Sequence, residues 1–265
     1  MDQIGWASFS PDELHTTTIG HDLRLFPSIG STNDALKDLA RSGAAEGVVY
    51  VTDEQTAGRG RRGRGWTAPA GSSLLLSILL RPTWLPADAA FYLTMLAAVA
   101  AANAIEQTTG LHIDLKWPND LQIGGRKLGG ILVETEMIDA RVRWAVIGCG
   151  INVNWNPRTI PELADSATSL SAEHGDPIDR CALLHALLHA VDGHYLALRS
   201  GTRSALFAAW RDRLQTIGQA VHAWTPHGQI DGVAEDVTHD GALIIRDDHN
   251  QTHVVTAGDV SIRPR

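Results

Sequence analysis

Nine residues, GRGRRGRGW at 58–66, alternate arginine with glycine in a chain whose formal net charge is -8. Glycine lets the backbone turn its amide groups towards an anion and approach it closely. Arginine adds forked donors that pair with two carboxylate or phosphate oxygens at once. The small residues of this segment would let it wrap a ligand with Arg59 and Arg61 facing inward. The segment alone is as typical of a solvated basic loop or an RNA-binding arm.

A second cation lies in KWPND at 116–120. A residue before proline favours extended backbone, so Lys116 is presented from the end of a strand, and Asn119 and Asp120 form the turn that follows. This places a cation and an amide at the mouth of a strand. An ordinary surface lysine followed by a Pro-Asn-Asp turn explains the same residues.

A third cation is Lys127, within GGRKLGGILVE at 124–134. Strand alternation predicts that Lys127 shares a face with Gly129, Ile131 and Val133, so that Gly129 leaves room for a ligand beside the amine. An anion there would offset the cost of a charge at the end of an apolar row. The alternative is a lysine that extends to solvent from the start of a strand.

Uncharged polar groups precede these cations. Ser31, Thr32 and Asn33 place two hydroxyls and an amide at a helix start, and Gln55 offers a donor and an acceptor just before the Arg/Gly segment. Singly, such residues are most often a helix cap and a strand-end polar group. Together with the cations they predict a site for a polar, anionic ligand.

Helices and strands must hold these groups in place. Helical spacing of apolar residues predicts helices over 31–43, 89–109 and 179–198. Strands are predicted at DLRLF, GVVYVTDEQ, SSLLLSILL, LHIDLKW, LQI, RKLGGILVETEM and RWAVIGCGINV, with Gly124 and Gly125 as a two-residue hairpin turn. From about Gly218, four strand-like runs separated by turn residues predict a small all-β unit. The sequence therefore divides into an N-terminal extension (1–21), an α+β domain (22–215) and a β-barrel-like domain (216–265).

Composition limits the function classes. With 44% apolar and 20% charged residues the chain buries a core, and its acidic balance, with a pI near 5.8, argues against a surface built for nucleic acid. The N-terminus lacks the pattern of a secretory signal, and the alanine-rich stretch 89–105 is shorter than a membrane span. Cys149 and Cys181 have no spacing typical of a disulfide framework or zinc site. We expect a cytoplasmic protein without a membrane or DNA partner.

The motifs STND, DEQTAGRGRRGRGW, KWPNDL, GRKLGGILVE and GCGINV, in this order and spacing, closely resemble the biotin protein ligases. The resemblance runs from Leu25 to the C-terminal β unit. It implies an α+β fold with a mixed-sheet catalytic domain of the biotin/lipoate ligase type and a small SH3-like C-terminal barrel. It also implies that biotin and MgATP form biotinyl-5′-AMP, whose acyl group passes to a lysine of a biotin carboxyl carrier protein, the acceptor subunit of acetyl-CoA carboxylase.

The resemblance assigns roles to individual residues. Lys127 and Arg61 are the expected catalytic cations, and the metal ligands stay unassigned. The residues expected to bind biotin are Ser31, Thr32, Asn33, Gln55, Arg59, Gly60, Arg61 and Lys127. Those expected to bind the nucleotide are Arg59, Arg61, Trp66, Lys116, Asn119, Lys127 and Asn152. Asp120 assists the incoming lysine or the metal, or belongs only to the turn.

Two features depart from the family pattern. About twenty residues precede the catalytic region, too few for the DNA-binding helix-turn-helix of the relatives that also act as repressors, so we expect a monofunctional ligase. Cys149 stands where the family has an aliphatic residue, and we expect a small buried hydrophobic group rather than a nucleophile. The family also forms homodimers through sheet edges, and no motif here decides that state.

Two other readings differ in substrate. A nucleic-acid-binding protein would need basic patches beyond the Arg/Gly segment, and the rest of the chain is acidic. A lipoate ligase or octanoyl transferase has a similar fold, and the pair GRGRRG and KWPND points away from it.

Overall fold

The computed structural model describes Trp6 and residues 9–225, 228–256 and 258–262. Over these residues it has the expected α+β architecture, with helices on a mixed sheet and a separate all-β unit. The helices are α1 (Thr32–Arg41), α2 (Tyr92–Thr109), α3 (Leu170–His174), α4 (Arg180–Arg199) and α5 (Arg203–Arg211). The strands are β1 (Asp22–Phe26), β2 (Val48–Thr52), β3 (Ser73–Leu80), β4 (Asp114–Lys116), β5 (Asp120–Ile123), β6 (Arg126–Ile138), β7 (Arg141–Asn152), β8 (Ala220–Thr225), β9 (Gly228–Val237), β10 (Leu243–Arg246), β11 (Thr252–Val255) and β12 (Asp259–Ile262).

The larger sheet has the strand order β1-β2-β3-β7-β6-β5-β4 across the described chain. β1 and β2 are parallel and the other neighbours are antiparallel, so the sheet is mixed. Residues that alternate along its strands fall into two apolar clusters, as the period of a strand requires. One cluster packs under α2 and α4, and the smaller one, around Leu36, Tyr50 and Trp144, packs under α1.

Helix α2 is buried nearly all round, which confirms that the apolar stretch at 89–105 is a core helix. Two segments of the described chain have the length and hydropathy of a membrane span, Ala87–Thr109 and Arg180–Arg199. In the first, 78% of the apolar window is buried inside the protein, which is typical of a core helix.

The predicted strand over LHIDLKW is shorter in the structure, where β4 covers only Asp114–Lys116. Side chains replace strand partners at both of its ends. The Ile113 amide donates to the Glu106 carboxylate at 3.1 Å, and the Trp117 amide donates to the Thr216 hydroxyl at 2.9 Å. Alternate residues of the predicted strand, Ile113, Leu115 and Trp117, are all in the core. The turn at Gly124 and Gly125 is also confirmed, with φ of 55° and 77°, which favour glycine.

The segment before β1 packs into the catalytic core in its described part. Phe9, Leu14 and Ile19 are buried. The Asp192 carboxylate of α4 accepts hydrogen bonds from three successive backbone amides, those of residues 17–19, at 2.7, 2.7 and 3.0 Å. A carboxylate that gathers consecutive amides in this way fixes the local backbone. The domain boundaries drawn from the sequence stay predictions.

The C-terminal unit is an antiparallel sheet with the order β11-β10-β9-β8-β12. The sequence predicted β8, β9, β10 and β11 and missed β12. The unit contacts the catalytic region at the KWPND turn, where the Trp117 indole N–H donates to the Gly241 carbonyl at 2.8 Å. A bidentate ion pair between Arg211 of α5 and Asp236 of β9, at 2.7 and 3.0 Å, adds a second contact.

Candidate functional site

One cavity of about 180 Å³ lies where the Arg/Gly loop, the start of α1 and the ends of β4–β7 meet. Its lining, over the described residues, includes all but one of the site residues predicted from the sequence. These lining residues are Ser31, Thr32, Asn33, Gln55, Arg59, Gly60, Arg61, Trp66, Lys116, Asn119 and Lys127. The structure therefore brings together groups that are up to 96 positions apart in the sequence.

The start of α1 forms the uncharged polar end of the cavity. Ser31 is the N-cap, and its hydroxyl accepts from the Asp34 amide at 3.4 Å. The Gln55 carbonyl oxygen accepts from the Thr32 amide at 2.9 Å and lies 3.2 Å from the Thr32 hydroxyl. The Asn33 amide oxygen lies 2.6 Å from the Ser77 hydroxyl. This network fixes the direction of each buried donor and acceptor, so the end is preorganised for a ligand with its own polar groups.

The sequence reasoning missed Ser77, which lies on β3 between Thr32 and Asn33. Its hydroxyl is 2.7 Å from that of Thr32 and fully buried. Its position as the one serine within the apolar run LLLSILL at 74–80 was the signal, because a buried hydroxyl needs a hydrogen-bond partner.

Three glycines on one face of β6 and β7 form the floor of the cavity. A Cβ at Gly148 would lie 2.2 Å from the Asn33 amide oxygen, and one at Gly150 would lie 2.9 Å from the Trp66 ring. A Cβ at Gly130 would lie 3.7 Å from the Lys127 amine. Asn33 and Trp66 thus rest directly on backbone, at distances that only glycine permits.

Lys127 lies on this floor, and its amine contacts the Asp120 carboxylate at 2.7 Å. The prediction that Gly129 shares its face is wrong. An irregularity in the pairing of β5 with β6 sets Lys127 opposite Gln122 but Gly129 opposite Leu121, so Leu128 is an extra residue. The extra residue inverts the alternation, as β-bulges do, and Gly130 becomes the glycine beside the amine. A Cβ at Gly129 would instead lie 2.6 Å from the Gly150 carbonyl oxygen.

The Arg/Gly loop folds back on itself above this floor. The Gly60 amide donates to the Arg64 carbonyl at 2.7 Å, and the Trp66 amide donates to the Gly58 carbonyl at 2.9 Å. Residues Arg61–Gly63 form a 3-10 turn at its tip, where Arg62 has a φ of 54°. The loop is thus a short hairpin whose two arms run side by side, with the first arm on the α1 side.

The two arginines expected to face a ligand have different partners. Arg59 lines the cavity, but its guanidinium donates to Asp34 at 3.0 and 2.7 Å and to Glu134 at 2.8 Å. The Arg61 guanidinium lies 3.4 Å from the Asn119 side-chain oxygen, across the cavity mouth. Arg59 therefore ties the loop to α1 and β6, whereas Arg61 reaches towards the KWPND turn.

Trp66 and Asn119 complete the wall near Lys127. The centre of the Trp66 ring is 5.9 Å from the Lys127 amine, within the range of a cation–π contact. The Trp66 indole N–H is buried and has no hydrogen-bond partner among the described residues, so a ligand acceptor would satisfy it. The Asn119 amide donates to the Ile131 carbonyl at 2.6 Å, which fixes the turn after the cis Trp117–Pro118 bond.

Asn152 is the predicted site residue that the structure does not bring to the cavity lining. It is buried at the end of β7, and its amide donates to the Thr168 carbonyl at 3.0 Å. The Thr168 amide in turn donates to the Lys127 carbonyl at 2.8 Å. Asn152 therefore supports the segment that holds the backbone of Lys127.

The C-terminal unit contributes to the same cavity. Val260 of β12 lines it, and the Arg62 guanidinium donates to the Trp224 carbonyl of β8 at 3.3 Å. The sequence reasoning left the role of this unit open, since no motif in it points to the loop.

Cys149 also lines the cavity, and burial raises the pKa of its thiol to about 12. The thiol is thus protonated at neutral pH and poorly suited to nucleophilic attack, as expected. Asp120 is the carboxylate among the described lining residues, and no group of three or more His, Cys, Asp or Glu within the described chain is placed to hold a metal ion.

Comparison with known proteins gives consistent matches. Residues 25–152 match the model of the Biotin/lipoate A/B protein ligase family, and residues 216–263 match that of the Biotin protein ligase C terminal domain. The chain is 37% identical over 233 residues to the Bifunctional ligase/repressor BirA of Bacillus subtilis, covering 88% of this chain and 71% of that protein. It is 36% identical to the Biotin--[acetyl-CoA-carboxylase] ligase of Mycobacterium tuberculosis, covering 87% and 85% of the two chains.

A solved structure gives the same result. The biotin protein ligase from Aquifex aeolicus in complex with biotin and ATP superposes with a TM-score of 0.78 at 26% identity. The match covers 92% of this chain and all of that one.

Proposed function

The chain belongs to the biotin protein ligases, and we propose that its cavity binds biotin and ATP through the residues described above. In the first step a biotin carboxylate oxygen attacks the α-phosphorus of ATP, the bond to the β-phosphate breaks, and pyrophosphate leaves. In the second step a lysine amine of the carboxyl carrier protein attacks the acyl carbon of biotinyl-5′-AMP, and AMP leaves as the amide forms. The observation that carries the proposal is the Arg/Gly loop lying over a cavity that has Lys127 at one end and a polar network at the other.

The polar end suits the head of biotin. Thr32, Asn33 and Gln55 offer hydroxyl and amide groups to the ureido ring, and the apolar lining residues Leu76 and Ile131 suit the thioether ring and valeryl chain. A ligand that lacks polar groups would shield these hydroxyl and amide groups from water without offering them hydrogen bonds of its own. Selectivity for biotin over a lipoyl or octanoyl group follows.

The cationic end suits the reacting groups. A carboxylate and a phosphate 4 Å apart repel by about 4 kcal/mol at an effective dielectric constant of 20. Lys127 and Arg61 lie where they would offset this repulsion, and Gly60, which has no side chain, lets the backbone come close to the anion. Lys127 is shared with Asp120, so an incoming anion competes with that carboxylate for the amine.

We assign Trp66, Lys116 and Asn119 to the nucleotide, because all three line the cavity beyond Lys127. Arg59 affects ligand binding indirectly, by holding the Arg/Gly loop to α1 and β6. Asn152 affects it by supporting the segment that holds the backbone of Lys127. Mg²⁺ arrives with ATP. A single lining carboxylate, Asp120, suits a metal that takes most of its ligands from phosphate and water, as Mg²⁺ does.

The Arg/Gly loop acts as a lid on the mixed anhydride. It lies between the cavity and solvent and reaches the C-terminal unit through Arg62. A closed lid protects biotinyl-5′-AMP from water until the acceptor lysine arrives.

The partners follow from the same assignment. The carboxyl carrier protein of acetyl-CoA carboxylase is the acceptor. A cytoplasmic setting, the lack of a DNA partner and a homodimer formed through a sheet edge are further proposals, which fractionation, a DNA-binding assay and sedimentation would test.

A transfer assay tests the proposed function. Purified enzyme, biotin and ATP should label a recombinant carboxyl carrier domain, and a domain with arginine in place of its acceptor lysine should stay unlabelled. Labelling of neither domain, under conditions where a known biotin ligase labels the first, would contradict the proposal.

A further inference from the structure

Four charged side chains form a cluster at the root of the Arg/Gly loop. Asp34 and Lys37 come from α1, Glu134 comes from β6, and Arg59 comes from the first arm of the loop. Arg59 pairs with both carboxylates, and the Lys37 amine lies 2.8 Å from Asp34 and 2.8 Å from Glu134. Two cations thus meet two anions, and each carboxylate bridges both cations.

The cluster is held in its charged form. Burial opposes the charge on all four groups, but the hydrogen bonds and opposite charges within the cluster outweigh it. The pKa values of Asp34 and Glu134 lie below their ordinary values, and those of Lys37 and Arg59 lie above theirs. At neutral pH the cluster therefore keeps its full set of ion pairs.

The geometry distinguishes the Arg59 contact from a surface ion pair. Arg59 engages Asp34 through two nitrogens, and the Glu134 side chain is only 24% exposed. Bidentate pairs of this kind fix orientation as well as distance. Since Gly60 and Arg61 follow directly, the position of Arg59 sets where these two residues lie over the cavity.

We propose that Asp34 and Glu134 are positioning residues. By binding Arg59, they hold the first arm of the Arg/Gly loop in place over the biotin site. This rests on the proposed function and adds a role for two residues outside the cavity lining. Glu134 also holds the Asn33 amide at 2.9 Å, so one carboxylate connects the loop with the polar end of the site. The seated loop lowers the cost of closure when biotin binds.

The test compares Asp34→Asn and Asp34→Ala with Asp38→Asn. Asp38 lies on the same helix and pairs with Arg41 at 2.9 Å, but its side chain is 77% exposed. The control variant thus loses the same charge and a similar ion pair. Glu134→Gln serves as the second test variant, since it keeps the shape of the side chain.

Limited digestion with trypsin in the absence of ligand measures how firmly the loop is held in place. Trypsin cleaves after arginine, so Arg61, Arg62 and Arg64 are the cleavage sites to follow. We expect cleavage there to be about fivefold faster in the Asp34 and Glu134 variants than in Asp38→Asn, from the loss of a partly exposed ion pair. The KM for biotin in ATP–pyrophosphate exchange should rise by a similar factor, with kcat within about twofold because bound biotin reseats the loop. The melting temperature of Asp34→Asn should match that of the control, which a merely structural role would not allow.

If trypsin cleaves the loop of the Asp34 and Glu134 variants at the same rate as the loop of Asp38→Asn, the proposal is overturned. The digestion needs no substrate, so it also decides the role of the cluster if biotin-dependent exchange is absent. That absence would instead contradict the proposed function.

Discussion

The glycine floor makes the strongest single-residue prediction, at Gly148. A methyl group there would meet the Asn33 amide oxygen at 2.2 Å, whereas ordinary contact begins at 3.4 Å, so the amide must retreat by roughly 1.2 Å. Its three hydrogen bonds, to Glu134, Ser77 and the Leu132 carbonyl, would lengthen beyond useful range. These bonds hold the Asn33 side chain in the orientation proposed to bind biotin, so at about 1 kcal/mol for each bond Gly148→Ala should make that orientation about 3 kcal/mol less favourable and lower kcat/KM for biotin roughly 100-fold.

ATP–pyrophosphate exchange at varied biotin concentration measures this loss. Gly30→Ala is the matched control, because a Cβ there would have no described atom within 4 Å. The double variant Gly148→Ala with Asn33→Ala should have the same kcat/KM as Asn33→Ala alone, because the side chain that clashes with the added methyl group is then removed. A kcat/KM for Gly148→Ala within threefold of the wild-type value would refute the reasoning.

Three further predictions concern the cations and their supports. Arg61→Gly should release biotinyl-5′-AMP and biotinylate lysines of unrelated proteins, detected by blotting with streptavidin; full retention of the adenylate would argue against a lid. Lys127→Gln should lower kcat for ATP–pyrophosphate exchange by about 100-fold or more, as loss of an electrostatic donor does. Asn152→Ala should lower the melting temperature and leave the KM for ATP unchanged. In urea unfolding, Glu134→Gln should be less stable than the wild type at pH 7. The difference should shrink below pH 4.5, the ordinary pKa of a glutamate, because Glu134 becomes protonated as the pH falls through its lowered pKa in the folded state. A difference that is constant with pH would exclude the ion pairs as its source.

The sequence predicted the strands and helices that carry strong periodicity, and it predicted the residues that meet in the cavity. Short motifs sufficed because each one ends a strand or begins a helix at the same side of the sheet. The length of β4 was not predictable, since no local pattern marks Glu106, which is 7 positions from Ile113, or Thr216, which is 99 positions from Trp117, as side-chain partners at its two ends.

Two errors have a common physical origin. A single extra residue, Leu128, reversed the faces of Gly129 and Gly130, and local alternation cannot reveal such a bulge. Likewise, the Arg/Gly pattern does not indicate that the partners of Arg59 are Asp34, 25 positions before it, and Glu134, 75 positions after it. Contacts that depend on long-range register were outside the reach of motif reasoning.

The most direct test of the central claim is ATP–pyrophosphate exchange by the purified protein with biotin, with lipoate, with octanoate and without an acid. We predict exchange that requires biotin and is absent with the other two acids, because the polar network at Thr32, Asn33 and Gln55 matches a ureido ring. Exchange that occurs with lipoate or octanoate, or exchange whose rate does not depend on biotin, would contradict the assignment of this cavity to biotin activation.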